Sequence, residues 1–187
     1  MTTHDRLVAA AASLLDAGGE AAVTLRAVGH NAGLSHNAPY KHFRNRDALL
    51  AAVATADLEF LTSAFAEMRS SALAPREKLL AALGTLVKFG RERPARYRLV
   101  FSAPILAKEH AGLQVQSAAC LAEVMNMVEN CKNANELPDA PAKSLASLFL
   151  ASMHGLVTME ANGLLEREKG LPTVEENLAL MIELMSR

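Results

Sequence analysis

The sequence predicts an all-α fold of about nine helices, with a three-helix N-terminal domain over residues 1–50 and a larger helical domain over 51–187. Two observations carry this. Hydrophobic residues make up 51% of the chain and aromatics only 4%, with Ala and Leu prominent, a bias toward helices rather than sheets. Apolar residues also recur at helical spacing between Gly- and Pro-marked breaks, and no segment alternates with the period of a strand.

The elements follow in order. A first helix is predicted over Asp5–Ala17 on Leu7, Val8, Ala11, Leu14 and Leu15, and Gly18-Gly19 ends it. Thr24 is placed to cap a second helix reaching about Ala32, with Gly33 giving the backbone freedom to stop it. Ser35 reads as the cap of a third, very short helix ending near Phe43. Asn45 or its neighbour opens a long fourth helix on Leu49, Leu50, Val53, Leu58, Leu61 and Phe65. Small and polar residues from Ser70 lead to Pro75, which opens a fifth helix to Arg91 on Leu79, Leu83, Leu86 and Val87. Pro94 opens a sixth, through Tyr97, Leu99, Val100 and Phe101, and Pro104 is read as its break. A seventh runs over Gly112–Asn130, and Lys132–Pro141 reads as a loop. Two final helices, 142–166 and 173–186, flank a Gly170-Leu171-Pro172 turn.

Residues 24–46 carry the chemistry. They contain Arg26, Lys41, Arg44 and Arg46 and no Asp or Glu, in a chain of formal net charge −1. The rest of the chain is left with 15 Lys+Arg against 20 Asp+Glu, a balance of −5. Two short helices split by a Gly33-Leu34-Ser35 turn, free of acid, suit insertion of the second into the DNA major groove. Leu25, Val28 and Ala32 give the first of them an inner face, Leu34 is buried in the turn, and Phe43 turns inward. His36, Asn37, Tyr40 and Lys41 stand foremost on the second: Asn pairs bidentately with adenine, and Lys reaches guanine or phosphate. Tyr40 and His42 suit phosphate oxygens, Arg44 and Arg46 follow them, and Thr24 and Arg26 hold phosphate from the other side. The expected DNA-contacting set is Thr24, Arg26, Ser35, His36, Asn37, Tyr40, Lys41, His42 and Arg46. Counted from a cap at Ser35 or His36, Pro39 falls at the fourth or third helical position and removes at most one donor. The bland alternative is a solvated surface hairpin.

This segment and its flanks resemble the DNA-binding domain of the TetR family of bacterial regulators. The resemblance runs from Leu7 through Ala11–Leu15 to Gly18-Gly19, then Thr24-Leu25-Arg26, Ala32-Gly33-Leu34-Ser35, Tyr40-Lys41-His42-Phe43 and Arg46-x-x-Leu49-Leu50. It implies a homodimer, an all-α subunit of nine or more helices, and a ligand-responsive repressor on a palindromic operator of double-stranded DNA. Three positions depart from the family pattern: Gly29 stands where Ala is usual, Pro39 where Leu is typical, and Arg46 where Lys is common. Farther along, Pro94-x-x-Tyr97-x-Leu99-x-Phe101 and Met153-His154-Gly155 resemble a subclass with a Trp-His-Gly motif in its C-terminal domain, Met153 taking the Trp position.

Residues 51–187 are expected to sense a ligand and to dimerise. Leu145, Leu148, Phe149, Met153, Leu156, Val157 and Leu164 spread over more than one stripe of the 142–166 helix, which suits burial against a partner as well as its own subunit. With Val174, Leu178, Met181, Ile182 and Met185 of the last helix, two such helices per subunit would form a four-helix interface. Phe89, Tyr97, Phe101, Met125, Met153, His154 and Met159 are candidate pocket residues for a small apolar or amphipathic effector, because methionines adapt to varied apolar shapes. Each of them also suits ordinary core.

Other functions find little in the sequence. There is no nucleophile elbow, phosphate-cradling glycine loop or His-Glu-x-x-His helix, so no catalytic residue, metal ligand or cofactor is expected. Cys120 and Cys131 lie roughly 16 Å apart on a continuous helix and cannot bridge within a chain, so two buried, reduced thiols are expected. No uninterrupted apolar run is long enough for a membrane span, and a cytoplasmic protein is expected. The competing readings are a helical enzyme using the N-terminal hairpin only structurally, and a helical protein–protein adaptor.

Overall fold

The computed structural model describes residues 1–165 and 170–186, with backbone alone over 103–107. Among the described residues there are nine helices and no strand: α1 (Thr3–Ala22), α2 (Leu25–Asn31), α3 (Ala38–His42), α4 (Arg46–Ser70), α5 (Pro75–Glu92), α6 (Pro94–Ala107), α7 (Ala111–Asn133), α8 (Ala142–Ala161) and α9 (Val174–Met185). The chain forms two compact units, one of Met1–Phe60 with Arg93–Ala118, the other of Leu61–Glu92 with Ala119–Arg187.

In the first unit α1 packs against α2 and α6, and α2 against α3. Leu7, Ala11, Leu15, Val28, Phe43, Leu49, Leu50 and Val53 are buried, as their spacing predicts. A capping box starts α1: the Thr2 hydroxyl accepts from the Asp5 N–H, and the Asp5 carboxylate accepts from the Thr2 N–H. Gly19 interrupts α1 with φ 67, and one further turn follows it to Ala22. The Asn45 side chain accepts from the Ala48 N–H at 2.8 Å and so caps α4.

Asp57 of α4 is the buried charge of this unit, 1% exposed. Arg96 of α6 answers it with two hydrogen bonds, from Nε to Oδ2 at 2.9 Å and from Nη2 to Oδ1, and also reaches Asp16 of α1 at 3.4 Å. By length and composition α4 is apolar enough to cross a membrane, but half of that stretch is buried within the protein. It reads as a core helix, with Asp57 satisfied inside it.

In the second unit α5, α8 and α9 pack against one another, burying Leu79, Leu83, Val87, Leu145, Phe149, Met153, Val157, Val174, Leu178 and Ile182. Arg91 of α5 binds Glu160 near the end of α8 at 2.7 Å and Glu175 at the start of α9 at 2.5 Å. Cys120 and Cys131 are buried and free.

α1 thus runs past the Gly18-Gly19 end predicted for it, and three later helix ends also differ from the sequence reading. Pro104 does not break α6, which runs on to Ala107: an interior proline forfeits one N–H and bends a helix without having to end it. α7 continues to Asn133 because Asn135 takes φ 58 and lets the Glu136 N–H turn back to the Cys131 carbonyl at 2.8 Å. α8 stops at Ala161 instead of reaching 166. Gly163 at φ 69 brings its own N–H to Glu160 and that of Leu164 to Met159, a Schellman end. Glu166 itself lies outside the described residues.

Candidate nucleic-acid interface

The reading head is built by local hydrogen bonding around one turn. The Thr24 hydroxyl accepts from the Ala27 N–H at 3.1 Å and starts α2. Gly33, at φ 64, ends it in a second Schellman pattern: its N–H reaches the His30 carbonyl and that of Leu34 the Gly29 carbonyl, each at 3.0 Å. Arg6 of α1 donates to the Ala32 carbonyl at 2.7 Å and fixes the turn from behind. Ser35 does not cap α3 with its hydroxyl. Its carbonyl accepts from the Ala38 N–H at 2.9 Å, and the helix begins only after Asn37, whose side chain makes no capping bond. Pro39 therefore sits in the first turn, where its missing N–H had no helical partner to lose.

This frame points two faces apart. Phe43 is buried, with the His4 ring 5.0 Å away, and Pro39 is buried against α2. Thr24, Arg26, Ser35, His36, Asn37, Tyr40, Lys41 and His42 are all exposed. Tyr40 is 60% exposed, a large aromatic held in water on a helix of five residues. Arg46 has a different place. Its guanidinium is half-buried, donating to the Val23 carbonyl at 2.9 Å and to the Glu20 carbonyl at 2.5 Å, so it ties the end of α1 to the start of α4. Arg44 pairs with Glu109 at 2.8 Å. An open cleft of about 470 Å³ beside the turn is lined by Thr24, Arg26, Ala27, His30, Leu34 and His36. His30 is the polar residue that the sequence reading missed, although its place four residues after Arg26 puts both on one face of α2.

The model for the family described as bacterial regulatory proteins of the tetR family matches residues 7–53, and the one described as a tetracyclin repressor-like C-terminal domain matches 79–185, more than half of the chain. The chain belongs to the TetR family. An exposed, acid-free helix–turn–helix with Tyr40 and Lys41 open to solvent is what a DNA-binding transcriptional regulator of that family needs.

Solved structures agree on the fold of this TetR-family protein. A protein of unknown function from Rhodococcus sp. RHA1 superposes with a TM-score of 0.84 at 26% identity, over all of this chain and 95% of that one. A TetR family transcription regulator from Marinobacter aquaeolei VT8 follows at 0.67 and 21% identity, over 98% and 93% of the two chains. SmeT, the repressor of the Stenotrophomonas maltophilia multidrug efflux pump SmeDEF, superposes at 0.63 with 18% identity, over 100% and 89%. No curated protein matches the sequence.

The effector candidates are distributed over both units. Tyr97 and Phe101 lie in the first, with ring centroids 4.6 Å apart, and burial raises the Tyr97 hydroxyl well above its usual range. Phe89, Met125, Met153, His154 and Met159 lie in the second: Phe89 and Met153 are buried, Met125 and His154 half-buried, and Met159 is 40% exposed. The described clefts of either unit are lined by other residues.

Proposed function

We propose that this TetR-family regulator is a ligand-responsive homodimeric repressor acting in the cytoplasm, where it binds a palindromic operator without catalysing a reaction. Residues 1–50 read the DNA, and 51–187 bind a small apolar or amphipathic effector and dimerise. The observation that carries the reading is the polar, acid-free surface of Arg26, His36, Asn37, Tyr40 and Lys41 around a turn held rigid from behind by Arg6. Support for the dimer comes from α8, where Leu148, Gly155 and Met159 fall on one face and are all exposed, and from Leu180 and Leu184 of α9, also exposed. A side-chain-free glycine in mid-helix costs about 1 kcal/mol, and an open face at Gly155 lets a partner helix approach closely. Effector binding then alters the spacing of the two heads, which must match about one 34–36 Å DNA turn or a multiple of it.

The test is binding of the purified chain to duplex fragments of its own genome. Affinity should fall steeply as salt rises. Tyr40→Ala and Lys41→Ala should weaken binding while far-UV circular dichroism stays unchanged. Absence of any salt-sensitive preference among fragments, with and without metabolite extract, would sink the reading.

A further inference from the structure

The cleft beside the recognition turn collects cationic and titratable groups without a carboxylate. Arg26 and His30 stand one helical turn apart on α2, and His36 closes the cleft from the turn that follows. Neighbouring arginines are occupied: Arg6 by the Ala32 carbonyl, Arg44 by Glu109, and Arg46 by the carbonyls of Val23 and Glu20. The side chains of Arg26, His30 and His36 make no hydrogen bond or ion pair among the described residues.

The elements packed against α2 add no free acid. α1 brings His4, Arg6 and three carboxylates, and each carboxylate is engaged: Asp5 with Thr2, Asp16 with Arg96, Glu20 with Arg46. α3 brings Tyr40, Lys41 and His42, all exposed. An anion is therefore the complement of the cleft. Phosphodiester oxygens only accept hydrogen bonds, whereas a neutral imidazole offers one N–H and one lone pair. Turning a lone pair toward phosphate is repulsive, and taking up a proton converts it into a second, charge-assisted donor.

We propose that this cleft seats one backbone phosphate of DNA between Arg26, His30 and His36, and that seating it takes up a proton, so the regulator binds DNA more tightly as the cytoplasm acidifies. The inference rests on the DNA-binding reading and adds to it a proton-linked contact. Histidine is the side chain whose charge changes across the physiological range, and uptake of one proton changes affinity by at most about tenfold per pH unit.

The experiment measures affinity of the full chain for a short mixed-sequence duplex at constant ionic strength, from about pH 8 to about pH 6, the window in which imidazoles titrate. Wild type should tighten about three- to tenfold per pH unit at the steepest point. His30→Gln and His36→Gln should each flatten the profile and together abolish it. His110→Gln, in the same unit but away from the cleft, should keep the wild-type slope, and circular dichroism should show every variant folded. Inorganic phosphate at matching concentration should leave the His30 and His36 ring resonances unmoved, while duplex shifts them. A slope that survives in the double variant overturns the proposal, as does duplex binding independent of pH. Ring shifts of equal size with inorganic phosphate also overturn it, since the ligand would then be free phosphate. Failure to bind duplex at every pH overturns the DNA-binding reading with it.

Discussion

Gly29 of α2 and Pro39 of α3 are fitted to each other: a Cβ at position 29 would lie 3.0 Å from the proline Cγ and 3.2 Å from Cδ. Both positions depart from the family pattern, and the structure makes them one feature. The buried proline ring occupies the space a usual Ala would fill, and the glycine beneath it gives up about 1 kcal/mol of helix propensity. In return, Pro39 stiffens the first turn of a recognition helix too short to hold itself by hydrogen bonds.

Restoring the family residue should therefore cost stability here. Gly29→Ala in the wild-type background should lose about 1–2 kcal/mol, because overpacking against a rigid ring exceeds the propensity gain. In a Pro39→Ala background the same change should stabilise by up to about 1 kcal/mol. Urea unfolding of the four proteins in the cycle reads the coupling. Additive effects would mean that the contact is not the constraint.

Arg96→Met should destabilise the first unit by about 3–5 kcal/mol near neutral pH, because it leaves the buried Asp57 carboxylate without its guanidinium. The pH dependence has a definite sign. Burial already raises Asp57 above the ordinary carboxylate range, with the Arg96 hydrogen bonds and charge pulling it back. Without Arg96 the raise is larger. A raised carboxyl contributes stability that is full below its unfolded value and lost as pH climbs through the folded one. The variant should thus recover toward wild type on acidification from about pH 7 to about pH 4, near the unfolded carboxylate value. Arg96→Met with Asp57→Asn should recover part of the loss at neutral pH. A deficit that does not change with pH would show that lost packing, not the stranded charge, sets the cost.

What the sequence made legible was local. Thr24 caps the helix it was expected to cap, Gly33 ends α2, and Phe43 faces inward, since each depends on a few adjacent residues. Ser35 does not cap α3 as its residue type predicts: its carbonyl, not its hydroxyl, holds the start of the helix, and residue type does not distinguish the two. Asp57 and Arg96 lie 39 residues apart, and the return of α6 onto α1 leaves no periodic trace. Arg46 is expected from the sequence to contact DNA, and its hydrogen bonds to the Val23 and Glu20 carbonyls depend on a return of the chain that residue type does not reveal.

The thiols should be inert in the native protein. Burial pushes Cys120 and Cys131 each up to about 11, leaving on the order of one thiolate in a thousand at pH 8. Iodoacetamide at that pH should modify neither residue over a period that labels both in urea, with mass spectrometry counting the adducts. Native labelling at the rate of a free thiol would show that the surrounding helices open readily.

The exposed leucines of α8 and α9 give the last prediction. Leu148, Leu180 and Leu184 are 52%, 49% and 60% exposed, too much apolar surface on two neighbouring helices to leave in water without purpose. Leu180→Glu and Leu184→Glu together should convert a dimer to a monomer by light scattering, each carboxylate being stranded in a symmetric apolar interface. Binding to a two-fold operator should weaken by at least about a hundredfold, since two heads joined in one dimer gain that much from effective concentration. Binding of a single head to a half-site should be unaffected. A variant that stays dimeric would move the interface elsewhere on the chain, whereas a monomer with undiminished operator affinity would show that one head is enough.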